Sequence, residues 1–156
     1  MKIILAAALV AVAGQAQALS CLRADAARTF GWASDAQEHY VIMLGAFTFS
    51  PPAEDEADIN NRQSVRLPAT FSGDYLGADG FVAAPTLDLT LGFECFGPWC
   101  GSIENNGDTL AFVEQAADGY VLNVGPCFST VFAPNDANVQ SVLSCMRGTG
   151  CEEQAF

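Results

Sequence analysis

The chain has 156 residues, 51% of them hydrophobic, which suits one domain with a substantial core and is short for two. Six basic side chains oppose 18 acidic ones, giving a formal net charge of −12. This balance argues against nucleic acid and anionic membrane surfaces as partners, because both bind clustered basic side chains. It fits a protein kept dispersed by its own charge, with basic partners or divalent cations as the alternative.

Residues 1–18 have the layout of a secretory signal peptide. Lys2 supplies the positive start, residues 3–13 form an unbroken apolar run, and Ala16-Gln17-Ala18 is a small-x-small cleavage site. The run is shorter than the roughly 20 residues that span a bilayer. Cleavage after Ala18 would leave a single secreted or periplasmic β domain, residues 19–156. Its five arginines against 18 acidic residues give a formal charge of −13, and it has no lysine. Cleavage directly before Cys21 is the alternative.

The predicted elements begin with a short helix over residues 21–33, where apolar side chains recur at three- and four-residue steps. The clearest strand covers 85–95, because Leu87, Leu89, Leu91 and Phe93 alternate with polar residues. Residues 64–76 predict a bulged or edge strand, since Pro68 cannot donate to a sheet ladder. The other predicted elements are strands over 40–49, 109–114, 120–124 and 129–132 and a helix over 137–146, capped by Asn135 or Asp136.

About five strands flanked by two helices predict a mostly β fold. We expect a small OB-like β-barrel with an N-terminal and a C-terminal helix, stapled by disulfides, and the alternative is a β-sandwich. No internal repeat or linker divides the mature part.

All six cysteines follow the predicted cleavage site, and an even number in an exported chain predicts three disulfides. Six cysteines allow fifteen connectivities, among which the sequence alone does not choose. Spacing favours two short loops, Cys95–Cys100 around FGPW and Cys145–Cys151 around MRGTG, because each loop holds glycine. That leaves Cys21 to pair with Cys127, which would tie the N-terminus to the late strands.

The sequence predicts no catalytic site, no metal site and no cofactor. His39 is the only histidine and lies in a polar connector, so we interpret it as an exposed loop residue. Four residues separate Cys95 from Cys100 and a strand precedes them, which favours a structural disulfide over a redox site. The acidic residues Glu54, Asp55, Glu56 and Asp58 lack EF-hand spacing. We therefore interpret them as a solvated charge run, with a calcium loop as the alternative.

Trp99 is the candidate binding residue. It lies between Pro98 and Cys100 at the tip of the predicted disulfide loop. An aromatic side chain there either plugs the end of the barrel or contacts a partner. The plug is the favoured interpretation, because exposed tryptophan is uncommon.

The order of elements resembles the netrin-like module, including the N-terminal domain of the tissue inhibitors of metalloproteinases. The resemblance covers about residues 21–145. It runs from the early cysteine through the strand YVIMLGAFTF to the hairpin TLAFVEQAADGYVLNVGPC. It implies an OB-like barrel with flanking helices and disulfides. In those inhibitors a free N-terminal cysteine, in a chain that opens Cys-x-Cys, chelates the protease zinc. Cys21 matches that position, but Leu22 and Arg23 follow it, so the second cysteine is missing.

We therefore expect an exported, non-enzymatic binding or interaction module, monomeric, with an unknown protein partner and no membrane span. A metalloprotease inhibitor of netrin-like type is one alternative. A hydrolytic or thiol-redox enzyme is the other.

Overall fold

The computed structural model describes residues 20–51, 62–127 and 130–153. The predicted signal peptide and the acidic residues Glu54 to Asp58 lie outside the described residues, and so does the calcium-loop alternative. The elements in chain order are α1 (Ala26–Asp35), β1 (Tyr40–Phe49), β2 (Val65–Gly77), β3 (Gly80–Ala83), β4 (Leu87–Phe93), β5 (Cys95–Phe96), β6 (Trp99–Cys100), β7 (Asp108–Ala116), β8 (Gly119–Val124), β9 (Val131–Phe132) and α2 (Asp136–Arg147).

Five strands close into a barrel in the order β1-β2-β4-β8-β7, because β7 pairs back with β1. The pairing of β4 with β8 is parallel, and the other four pairings in the barrel are antiparallel. The predicted OB-like barrel with two helices is therefore confirmed, and a closed barrel replaces the alternative of a β-sandwich.

The barrel interior is filled by alternate residues of the five strands, as the period of a β-strand requires. Phe47 and Phe71 are fully buried there, with ring centroids 5.1 Å apart. The buried members of this cluster are Met43, Phe47, Ala69, Phe71, Leu89, Leu91, Phe93, Ala111, Val113, Leu122 and Val124.

A second apolar cluster lies outside the barrel, between the strands and the helices. The residues of β1 and β7 that alternate with the interior ones point away from the barrel, among them Ile42, Leu110 and Phe112. They pack with Ala26 of α1 and Val142 of α2. Leu110 and Val142 are 0% exposed. The two helices thus bury an apolar part of the outer barrel surface, which makes the domain two-layered.

Each helix begins at a capping side chain. The carboxylate of Asp25 accepts a hydrogen bond from the backbone N–H of Arg28 at 2.9 Å, so α1 begins at Ala26, later than the predicted residue 21. The side chain of Asn135 accepts from the backbone N–H of Asn138 at 2.9 Å and caps α2. Local capping chemistry, which apolar spacing does not report, decides where the first helix starts.

Residues 64–76 were predicted as a bulged or edge strand, and the edge position is wrong, because β2 pairs with β1, β3 and β4. Pro68 is accommodated although it has no N–H to donate, because the pairing of β2 with β1 begins only at Ala69. At Pro68 itself, β2 pairs with β4 alone. Gly73 lies opposite Gly45 on β1. A Cβ on Gly45 would come within 2.3 Å of the Ser72 carbonyl oxygen, so the two strands approach too closely there for a side chain.

The structure confirms the predicted disulfide pairs Cys21–Cys127, Cys95–Cys100 and Cys145–Cys151. All six cysteines are paired, which indicates an oxidising, extracytoplasmic environment. Among the described residues, no helix has the length and apolar character needed to cross a bilayer.

Candidate binding site

Trp99 and Phe96 lie on a small hairpin formed by β5 and β6. The Cys95–Cys100 disulfide closes the hairpin at its base, and Phe96 and Trp99 are cross-strand partners beside the turn. The side chain of Phe96 is 63% exposed and that of Trp99 is 38% exposed. Neither belongs to the two apolar clusters of the described residues. Trp99 is thus a surface residue and not a buried plug, and its contact with a partner stays a prediction.

Backbone hydrogen bonds fix the base of this hairpin to the barrel. The N–H of Glu94 donates to the Val124 carbonyl of β8, and the N–H of Gly101 donates to the Glu94 carbonyl, both at 2.9 Å. A Cβ on Gly101 would lie 2.0 Å from the Val124 carbonyl oxygen. The two exposed aromatic side chains are therefore presented by a short, cross-linked and firmly anchored support.

A cavity of about 140 Å³ opens on the outer barrel face beside this hairpin. Trp32 reaches it from α1, and Tyr40 and Glu114 reach it from β1 and β7. Glu94, directly before the hairpin, Asn123 of β8 and Thr130 add further polar groups to the lining.

Long-range strand pairing brings these residues together. Tyr40 lies opposite Glu114 in the β1–β7 register, and the parallel β4–β8 register places Asn123 beside Gly92. A Cβ on Gly92 would lie 2.7 Å from Oδ1 of Asn123, so the missing side chain gives the Asn123 amide room to lie across β4. This Oδ1 is buried and has no hydrogen-bond partner among the described residues.

The aromatic side of the cavity is the pair of Trp32 and Tyr40. Their ring centroids are 4.9 Å apart and the rings are tilted by 53°. Trp32 is 39% exposed, so part of its indole faces solvent. Burial raises the pKa of the Tyr40 hydroxyl, and the negative charges of Glu114 and Glu38 raise that pKa further.

The charge in the cavity is one-sided. Glu94 and Glu114 contribute two carboxylates, and no arginine is among the lining residues. Arg66 lies on the neighbouring strand opposite Gly92, outside the lining. Arg28, one helical turn before Trp32, forms an ion pair with Glu153. No arginine among the lining residues therefore offsets the two carboxylates.

A second, larger cavity of about 360 Å³ lies between α1 and the barrel and is mostly apolar. Tyr40 and Phe112 line both cavities, so they separate the apolar groove from the acidic one. Exposed Met146 of α2 and Tyr75 of β2 form its outer rim.

The other candidate residues of the sequence do not come together. His39 is exposed and lies outside the lining of both cavities, and its backbone carbonyl accepts a hydrogen bond from the Gln115 N–H at 2.7 Å. The Cys95–Cys100 disulfide joins β5 to β6, and in the chain order β7 and not a helix follows β6. Within residues 20–51, 62–127 and 130–153, no three acidic, histidine or cysteine side chains are grouped as metal ligands.

Sequence reasoning missed the acidic cavity. Its available signals were the outward positions of Glu94 and Glu114 on predicted strands and a tryptophan, Trp32, off the apolar stripe of the predicted helix. Which strands become neighbours was not visible in those patterns.

Comparison with known proteins finds no matching family model, no similar curated sequence and no similar solved structure.

Proposed function

We propose that this protein is an exported, non-enzymatic binding module that uses an OB-like barrel to present an aromatic contact surface to a protein partner. The observation that carries the proposal is the exposed pair of Phe96 and Trp99 on a disulfide-closed hairpin. Apolar side chains on a rigid support lose little conformational entropy on binding, and tryptophan is enriched among residues that dominate interface energies.

Export rests on the secretory layout of residues 1–18, and the three disulfides support it. The compartment is the periplasm or the external medium. The high negative charge keeps such a protein dispersed and favours partners that carry basic groups.

The test is capture of partners from periplasm or medium by the immobilised, disulfide-bonded protein. The variant Phe96→Ala/Trp99→Ala should retain the wild-type melting temperature and lose the captured protein, because both side chains are exposed. The matched control is Tyr75→Ala/Val82→Ala, a second exposed cross-strand pair, 40% and 42% exposed, between β2 and β3. Equal capture by the hairpin variant and wild type would overturn the role of the hairpin. A wild-type protein that captures nothing would overturn the binding function.

The second candidate function is inhibition of a zinc metalloprotease, and the observation that favours it is the position of Cys21. This residue is exposed and bonded to Cys127, so the chain start of the mature protein is held at the barrel. Zinc chelation by this residue requires a free amine on Cys21. Intact-mass measurement of the exported form decides, because a chain that begins at Leu19 rules out this mechanism.

A further inference from the structure

We propose that the acidic cavity lined by Trp32, Tyr40, Glu94 and Glu114 binds an arginine side chain of the partner protein. The proposal rests on the binding function above and names the chemistry that one part of the surface recognises. It concerns a different set of side chains from the hairpin pair Phe96 and Trp99, so the two can fail separately.

The size of the cavity favours a single side chain over a free small molecule. Pockets that hold drug-sized ligands span about 300–1,000 Å³, whereas this cavity measures about 140 Å³. A cavity of about 150 Å³ accommodates a molecule the size of benzene. A guanidinium group with its adjoining methylenes has comparable bulk.

The charge of the cavity selects a cation. Two carboxylates, those of Glu94 and Glu114, line it without an arginine among the lining residues. A carboxylate gains a strong, charge-assisted hydrogen bond when it accepts from a guanidinium. The mature chain offers no lysine and only five arginines, so a basic partner is the natural source of the missing charge.

The aromatic wall distinguishes arginine from lysine. A guanidinium is planar, stacks on the face of tryptophan or tyrosine, and donates from its edge to carboxylates. The cavity offers both elements, since the Trp32–Tyr40 pair and the two glutamates line the same space. An ammonium group interacts with the carboxylates as a point charge and gains less from stacking on the face of an aromatic ring.

The experiment titrates the disulfide-bonded protein with three acetylated, amidated pentapeptides, GGRGG, GGKGG and the same peptide with citrulline, the neutral isostere of arginine. The chain has two tryptophans, so the indole N–H signals report separately on the cavity through Trp32 and on the hairpin through Trp99. We expect the arginine peptide to shift the Trp32 signal saturably, while the Trp99 signal stays in place. Binding should weaken clearly with lysine and disappear with citrulline.

Matched variants separate the cavity from the overall charge. Glu94→Gln/Glu114→Gln should weaken binding of the arginine peptide by about tenfold or more, because both hydrogen-bond acceptors lose their charge. Asp88→Asn/Glu104→Gln removes the same number of charges from exposed positions outside the cavity and should change the affinity less than about twofold. Gly92→Ala tests the shape of the cavity without changing its charge. The added Cβ would displace the Asn123 amide, so this variant should also bind the arginine peptide more weakly.

Several outcomes, on the unmodified protein and on the variants, would overturn the proposal. Binding of the citrulline peptide as tight as that of the arginine peptide would refute recognition of charge, and equal binding of the lysine peptide would refute the preference for arginine. An equal loss in the two double variants would assign binding to overall charge. Partner capture that survives Glu94→Gln/Glu114→Gln would refute the cavity as a docking point and leave the binding function in place.

Discussion

The outer surface of the barrel has two parts with opposite chemistry. Beneath the helices, the side chains of β1 and β7 that point away from the barrel interior are Ile42, Leu110 and Phe112, and all three are buried. On β8 and directly after β4, the outer surface instead carries the half-buried Asn123 and the exposed Glu94. The same alternation of strand residues produces both parts, so the difference lies in which residue types occupy the outward positions.

This contrast separates stability from binding. The helix-covered part buries apolar surface, which stabilises the fold by about 25 cal/mol per Å². The acidic part has Glu94 and Glu114 in the cavity lining without an arginine beside them there, so we expect these two side chains to contribute little to the stability of the fold. We therefore expect Glu94 and Glu114 to tolerate substitution without unfolding of the barrel, which suits the binding role proposed for this part.

The largest expected effect is loss of the disulfide that joins the start of the helical layer to the barrel. Cys21–Cys127 closes a loop of 106 residues and Cys95–Cys100 one of 5. On the chain-entropy model, Cys21→Ala/Cys127→Ala should lower the free energy of unfolding by about 4–5 kcal/mol, and Cys95→Ala/Cys100→Ala by about 2 kcal/mol. Urea denaturation of both variants measures the difference. A costlier loss of the short loop would show that the hairpin is a packed structural centre.

The next effect compares one aliphatic side chain from each part of the outer surface. Leu110→Ala removes a fully buried side chain beneath the helices and should lower the free energy of unfolding by about 2–5 kcal/mol. Val121 is half-buried and lines the acidic cavity, so Val121→Ala should cost about 1 kcal/mol or less. Thermal or urea unfolding of the two variants tests this. Equal costs would mean that the acidic part is as tightly packed as the covered one.

The barrel was predictable because its strands are either rich in β-branched and aromatic residues or alternate apolar with polar side chains. The strand over 40–49 matches β1 at both ends, and the alternating leucines of 85–95 form the inner face of β4. The N-terminal helix followed from apolar spacing, and the C-terminal helix was predicted with Asn135 or Asp136 as its cap. The start of α1 did not follow from spacing, because it is set by the hydrogen bond that the Asp25 carboxylate accepts from the Arg28 N–H. The β7–β8 hairpin turns at Ala117 and Asp118, because Ala116 lies opposite Gly119 in the register.

The acidic cavity was not predictable, for a physical reason. Tyr40 and Glu114 are neighbours only because β1 and β7 close the barrel, and Asn123 reaches Gly92 only through a parallel pairing. The pattern of apolar and polar residues along a strand shows which side chains share a face of that strand, but it does not show which other strand pairs with it. The disulfides were different, because two short glycine-containing loops restricted the pairing enough to leave Cys21 for Cys127.

The smallest expected effect concerns the ion pair between Arg28 of α1 and Glu153, which follows α2. The Arg28 guanidinium donates to the Glu153 carboxylate and so joins the segments at the two ends of the helical layer. This hydrogen bond lowers the pKa of Glu153 below its ordinary value of 4.5. A carboxylate with a lowered pKa in the folded state stabilises the fold above its unfolded-state pKa, and this stabilisation is lost as the pH falls through the folded-state pKa. Glu153→Gln should therefore lower the melting temperature slightly at pH 7 and leave it almost unchanged well below pH 4.

The control is Glu152→Gln, an exposed neighbour outside the ion pair, which should show neither effect. Both side chains of the pair are partly exposed, so 1 M salt should shrink the difference at pH 7 by screening. A difference that grows as the pH falls would contradict the assignment, because protonated Glu153 no longer offers arginine a charge.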